Sequence, residues 1–313
     1  MTDIRHLARK AIDAGRWDRC VSESGHGIAF GYSRYLDLMA DDWDGLVVGD
    51  YEAVLPLPTR RKLGFRYGYP PRFMGPNPVY RLPGTIPPVM DLLRAAGSAL
   101  PFSDLQIAAS PNEVSIPHSV RRNHLLPLDG AYEELRGGYS ATCRNLLSKA
   151  HREGMFVDKG GDSEEAIRRA ARDGMMEGCS RSDLERFNSL CRERTAAGSC
   201  FTASAKDREG NPLSMGIFLV AEKRIHYMAS WTGEAGRKTG ASRLVIDSMV
   251  REFAGTGRVL DFVGSDFPGI AAFFEGFGAR AVDYVLIRQN RLHPWIAWVK
   301  PPLTGTYQRN PRG

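Results

Sequence analysis

The sequence predicts a mixed α/β (α+β) fold in which a mostly antiparallel central sheet is flanked by helices, and three observations lead there. Residues 199–206, 213–221 and 225–231 read as consecutive strands joined by polar turns, DREGNP at 207–212 and then Glu222 to Arg224. Apolar and β-branched runs bounded by Gly, Asn, Asp and Pro carry the strand signature. Residues 43–57 (WDGLVVGDYEAVLPL) read as a separate hairpin turning at Gly49 and Asp50, residue types that tolerate positive φ. Several other stretches repeat apolar residues at three- and four-residue spacing, the helical period.

Length and composition bound the rest. The 313 residues suffice for two domains of ordinary size. Hydrophobic residues at 42% and charged residues at 25% are globular values and exclude a disordered or fibrous chain. A net charge of +6 favours anionic partners, phosphorylated cofactors or nucleic acid. Cys20, Cys143, Cys179, Cys191 and Cys200 fall at no metal-ligand spacing, so no metal is expected, and scattered cysteine fits a reducing compartment. The opening MTDIRHLARKAIDAG is charged every few residues, unlike a secretory leader. No run approaches the roughly 18 to 20 apolar residues of a membrane span. The expected location is the cytoplasm.

Taken in order, residues 3–14 have helical spacing through Ile4, Leu7, Ala8 and Ile12, and residues 32–40 through Tyr32, Tyr35, Leu36 and Met39. Residues 56–88 are rich in proline, glycine and aromatics, which suits extended loop and edge strand rather than regular elements. Arg66, Tyr67 and Arg72 in this stretch are candidate substrate contacts, a wall of cations and flat rings for an anionic or sugar-like acceptor; the same composition suits a loop pinned to the core by its aromatics. Residues 89–100 read as a helix, 103–109 as a strand, and 114–128 as an extended segment holding His118 and His124. Residues 131–154 are helical, with Arg144, Lys149 and Arg152 either meeting a phosphate or carboxylate or forming a solvated face. Residues 155–158 read as a short strand, and 163–172 and 182–197 as helices opened by serine.

The most informative stretch is 236–242, GRKTGAS, set between the strand at 225–231 and an apolar-periodic helix at 243–253. The first turn of a helix leaves backbone N–H groups without partners and carries a positive partial charge, so a glycine turn there predicts an anion site. Arg237, Lys238, Thr239, Gly240, Ala241 and Ser242 are the candidate donor contacts. A strand at 259–263, a polar turn at 264–266 and an aromatic helix at 268–278 follow.

These residues carry a resemblance. GRKTGAS resembles the Gln/Arg-x-x-Gly-x-Gly/Ala loop of the GNAT acyltransferases, with Arg237, Gly240 and Ser242 in the marked positions and serine where glycine or alanine is usual. AAFFEGFGA resembles the segment that follows the fifth strand of that fold. LDFVGSDFPGIAAFFEGFGA, together with Arg144, Asn145, Lys149 and Ala150 of CRNLLSKAHREG, is similar to the tandem-GNAT relatives of the Fem-type aminoacyl transferases. The resemblance implies two tandem GNAT-like units, a degenerate one over 1–128 and one with the donor loop over 129–313, and hence one donor site per chain.

It also implies a reaction. An amine acceptor attacks the carbonyl of an acyl or aminoacyl group whose donor is acyl-CoA or, in the Fem-type variant, aminoacyl-tRNA. No cofactor is expected to be held permanently; acyl-CoA is a co-substrate. Such a reaction needs donors for an oxyanion and an acid for the leaving group. Many GNAT enzymes place a tyrosine where this chain has Phe274, which cannot donate a proton. The remaining candidates are Asp261, Ser265 and Tyr227, with His226, Asp266 and Tyr284 nearby and Trp231 lining the acyl arm. The alternative is a binding module on a decayed transferase scaffold.

Overall fold

The structure is a computed structural model that describes residues 3–62, 64–264 and 266–291. The first half runs β1 (Ile4–Ala8), α1 (Ala14–Glu23), α2 (Ser33–Met39), β2 (Asp42–Val48), β3 (Ala53–Lys62), β4 (Phe65–Gly68), the two-residue β5 (Tyr80–Arg81), α3 (Val89–Ala99), β6 (Phe102–Ile107) and β7 (Ser119–Pro127). Helices α4 (Tyr132–Gly137) and α5 (Ala141–Arg152) lead into β8 (Phe156–Asp158), α6 (Ser163–Arg172), α7 (Arg181–Ala196), β9 (Cys200–Lys206), β10 (Pro212–Val220) and β11 (Arg224–Thr232). Then come α8 (Glu234–Thr239), α9 (Ala241–Phe253), β12 (Val259–Asp261), α10 (Pro268–Glu275) and β13 (Arg280–Asn290). Each half repeats one order, a strand, two helices, three strands, a helical segment, a strand and a closing strand, with β5 added in the first half and, in the second, α8 added before α9 and α10 before the closing strand.

The strands form one sheet in the order β1-β2-β3-β4-β6-β13-β7-β12-β11-β10-β9-β8, with β5 beside β3. Its centre is an exchange. β13, last in the chain, pairs antiparallel with β6 of the first half, and β7, last in the first half, pairs antiparallel with β12 of the second. β7 and β13 also pair with each other from Ser119↔Leu286 to Leu125↔Arg280. Pulling the halves apart would therefore break strand ladders as well as side-chain packing.

Helices cover both faces. One apolar cluster joins α1 and α2 to α6, α7 and the inward side of β10, with Trp17, Trp43, Tyr35 and Phe187 fully buried. A second packs α5, α9 and α10 on the other face around Leu147, Val245, Phe218, Phe274 and Phe277. The helices expected to open at Ser163 and Ser182 are capped instead by Asp162, which accepts from the Glu164 amide, and by Ser180, which accepts from the Asp183 amide while the Asp183 carboxylate accepts from the Ser180 amide; Ser140 caps α5 by accepting from the Cys143 amide.

Three further expectations are corrected. The helix expected over 3–14 is strand β1 followed by a short turn, and the helix here is α1, capped by Asp13. Ile4 and Leu7 lie three apart, which on a strand puts them on opposite faces, and each packs against a different cluster, so spacing that imitated a helix came from an edge strand covered on both sides. The 56–88 stretch is more regular than expected, because β3 runs on to Lys62 and pairs with β4 from Thr59↔Gly68. The open glycine turn expected at 236–242 is wound into α8, with consequences described next.

Candidate functional site

The site begins where two parallel strands part. β11 and β12 pair at Arg224↔Val259, Ile225↔Leu260 and His226↔Asp261, after which β12 ends and β11 continues to Thr232. Among the described residues, the β12-facing edge of β11 beyond His226 has no strand partner. On its other side β11 carries a bulge: Phe218 faces Tyr227 and Ile217 faces Ala229, so Met228 has no opposite number. Bulges re-aim side chains next to functional sites. Tyr227, Met228, Ala229 and Ser230 are partly exposed in this gap, whereas Ile225, His226 and Trp231 on either side are buried. The gap offers unpaired main-chain groups to an extended guest, which is how strand addition recognises a chain.

Beside the gap stands the start of α9. Gly240 ends α8 and begins α9 with φ at +81°, and a Cβ there would lie 3.0 Å from the Leu146 carbonyl of α5. Glycine satisfies the left-handed backbone and the close approach together. Because Glu234 to Thr239 are helical, the Arg237 amide donates to the Gly233 carbonyl and the Gly240 amide to that of Gly236. Those amides are not free to cradle an anion. No side chain caps the start of α9 among the described residues; there Ala241 is fully buried and Ser242 partly exposed. Arg237 and Lys238 are exposed, Lys238 pairing with Glu234 at 2.9 Å. Lys149 donates to the Lys238 carbonyl at 3.4 Å, and the Arg243 guanidinium lies over Phe273 at 4.9 Å. Cations from α5, α8 and α9 thus share one rim.

At the parting point a buried polar network spans both halves. Asp261 accepts from Asn123 Nδ2 at 2.8 Å and the Val263 amide at 2.8 Å through Oδ1, and from Arg224 Nη1 at 2.9 Å through Oδ2. His226 Nδ1 lies 3.6 Å from the same Oδ2, while its Nε2 accepts from the Ala29 amide at 3.3 Å. That contact gives Nδ1 the ring proton. Burial pushes the Asp261 carboxyl up, but His226, Arg224 and Asn123 together outweigh it and leave the group well below its usual range. An acceptor so saturated with donors is a poor proton acceptor; its geometry is that of a group that orders Arg224, His226 and Asn123.

Tyr227, the next residue along β11, faces the other side of the sheet. Its ring stacks on Phe218 with centroids 5.0 Å apart and meets Phe262 and Phe274 edge-on at 6.1 and 6.4 Å. Burial among these rings pushes the phenol up to about 12, against a hydrogen bond with Ser230. The phenol is therefore neutral at any physiological pH and can donate a proton. It stands against Phe274, so the aromatic helix keeps its shape while the hydroxyl comes from the strand.

The remaining candidates scatter. Ser265 lies outside the described residues. Arg66 is engaged by Asp44 and by Asp42 at 3.0 Å, and Tyr67 is buried in a small cluster with Tyr69 and Phe102. Arg72 donates to the Gly178 carbonyl at 2.8 Å, and Arg144 to the carbonyls of Tyr139 and Gly137. Trp231 is buried, donating to Asp173 at 2.6 Å with the Arg169 guanidinium 4.8 Å over its ring. Of the candidate substrate contacts, only Lys149 reaches the α8 to α9 corner. Arg224 and Asn123 are the members of the network that sequence reasoning missed: neither stands in a motif, and Asn123 reaches the second half only through the strand exchange.

The first half has the same parting and fills it. β4 and β6 pair in parallel only at Gly68↔Ser103. The chain then returns, Asn77 bridging to Ile107, its amide donating to the Gln106 carbonyl and its carbonyl accepting from Ala108. One open gap is left among the described residues.

No protein-family model matches the sequence, and no curated protein matches it. Solved structures do. FemX superposes with a TM-score of 0.64 at 11% identity, covering 94% of this chain and 99% of that one. L-PGS from Bacillus licheniformis gives 0.56 at 11% identity, over 92% and 95% of the two chains. A tandem GNAT protein from the clavulanic acid biosynthesis pathway gives 0.52 at 12% identity, over 92% and 98%. Identities this low speak to the fold alone. The repeated order of elements, the two partings and these superpositions agree: the chain carries the tandem GNAT fold, similar to that of FemX.

Proposed function

We propose that this protein transfers an acyl or aminoacyl group to an amine acceptor, with the donor's acyl arm lying in the gap between β11 and β12. The observation that carries the reading is the asymmetry of the two partings, one filled by residues 70–77 and the other open beside an uncapped helix start. The donor arm adds to the free edge of β11, placing its carbonyl near the bulge at Met228. Tyr227 supplies the proton that the leaving group needs, in the place left by Phe274. Asp261 holds the strand ends rather than taking a proton.

For the donor, the winding of residues 234–239 and the packing of α5 against Gly240 favour aminoacyl-tRNA, whose many phosphates meet a cationic surface without a cradle of successive amides. The net charge of +6 supports the same reading. Acyl-CoA is the second reading, favoured by the partly exposed Ser242 at the uncapped start of α9 beside Arg237 and Lys238. The protein acts in the cytoplasm in either case. Single-turnover assays with a charged tRNA and with acetyl-CoA, over a panel of amines, test the proposal. Transfer from the tRNA that collapses between 50 and 200 mM salt supports the first donor, since phosphate contacts release counterions. Transfer from acetyl-CoA that is nearly salt-independent supports the second, and no transfer from either leaves the binding-module reading.

A further inference from the structure

On the sheet face opposite Tyr227 lies a cavity of about 630 Å³ walled by both halves. Its size suits a small organic ligand. One end holds His26 and Arg224, the middle Asp261 and Asn123, and the other end Val282 and Tyr284.

The ends differ in chemistry. Arg224 donates Nε to the His26 carbonyl at 3.0 Å and Nη1 to Asp261, which leaves Nη2 as its remaining donor group beside the cavity. Burial holds the His26 imidazole below its usual range, and the charged neighbours that add to this, Arg224, Arg81 and Lys223, are all cations. Against Asp261 they leave a surplus of positive charge at that end. Val282 is 43% exposed, a large apolar side chain left bare where β13 crosses the cavity, and Tyr284 follows two residues on, on the same face and partly exposed. The middle lies at the mouth of the gap between β11 and β12.

A ligand matched to this order has an anion at one end, an apolar group at the other and its reacting atom between them. Resting on the transferase reading above, we propose that the cavity binds the acceptor and that the acceptor is an apolar α-amino acid. Its carboxylate faces Arg224 and His26, its side chain covers Val282 and the Tyr284 ring, and its amine points at the gap. The attacking nitrogen is neutral; it forms the new C–N bond and loses a proton to solvent, while the donor's C–O or C–S bond breaks and the leaving atom takes a proton from Tyr227. The space beyond one amino acid accommodates the acyl group that it receives.

The test is calorimetric titration of the full chain, without donor, using L-phenylalanine, 2-phenylethylamine and 3-phenylpropanoate. The proposal expects phenylalanine to bind at least tenfold more tightly than either analogue. It expects V282R, which alters an exposed position, to abolish that binding with the melting temperature unchanged. Absence of phenylalanine binding, equal binding of all three compounds, or full binding by that variant overturns it. Because no donor is present, the outcomes separate: phenylalanine binding with no transfer from any donor sinks the transferase reading and leaves the site. Transfer to another amine that survives V282R sinks the site and leaves the transferase.

Discussion

His226 Nδ1 and Asp261 Oδ2 face each other at 3.6 Å at the last paired position of β11 and β12, and beyond them the strands separate. The pair marks the boundary between sheet and site. Partners from the first half join it, Ala29 on the imidazole and Asn123 on the carboxylate, beside Arg224 and the Val263 amide from the second, so both halves set the geometry of the gap.

Acid should loosen this boundary first. Asp261 has a folded-state pKa below that of an unfolded aspartate, so its contribution is complete above the unfolded value of about 3.9 and is lost as pH falls below it. Chemical denaturation at pH 7 and at pH 3 should show a drop in stability that D261N shares less, because asparagine does not titrate.

At Gly240 two penalties can be separated. Gly64 has the same φ, +81°, with no atom within 4 Å of where a Cβ would stand, whereas at Gly240 a Cβ would meet Leu146. G64A should cost about 1 kcal/mol from backbone strain alone. G240A should cost about 1 to 3 kcal/mol, the excess reporting the packing of α5 on the helix corner. Equal costs from urea titration would mean that α5 yields freely there.

Phe73 reverses the usual ranking of substitutions. It stacks on Phe187 of α7 at 4.0 Å with rings 4° from parallel, and its φ is +59°. Alanine and glycine both lose the stack, but glycine relieves the left-handed backbone. F73G should therefore be the more stable of the two by roughly 0.5 to 1 kcal/mol.

Tyr227 can be tested by pH as well as by removal. Y227F should lower kcat by about 10² while leaving the melting temperature close to wild type, since the ring contacts remain. With the phenol pushed up to about 12, the alkaline limb of the wild-type profile should not fall at the ordinary tyrosine value near 10.

Much of this is legible in the sequence, and the gaps have physical causes. The strands from Cys200 to Thr232 alternate or run apolar between turn residues, and α6 and α7 show in their sequence although Asp162 and Ser180 cap them rather than Ser163 and Ser182. β1 does not, because its apolar residues serve two faces. β13 does not either: its first four residues are exposed and only Val285 and Ile287 are buried, leaving little periodicity, yet this strand joins the halves. The conformation of the loop motif is not legible, since nothing in GRKTGAS says that α5 will press on Gly240 and that Glu234 to Thr239 will coil. Arg66 and Tyr67 read as a basic aromatic wall, and burial spends them on Asp44 and on Phe102.

The central claim is that the activated donor rests its phosphates at the α8 to α9 corner, and thermal shift measures it most directly. Wild-type protein and the double variant R237E/K238E should melt at nearly the same temperature without ligand, because exposed charges on the surface of α8 add little to folding. Saturating non-hydrolysable aminoacyl-tRNA, or acetyl-CoA if that is the donor, should raise the melting temperature of the wild type and not that of the variant. Equal stabilisation of both proteins would place the donor elsewhere and contradict the account.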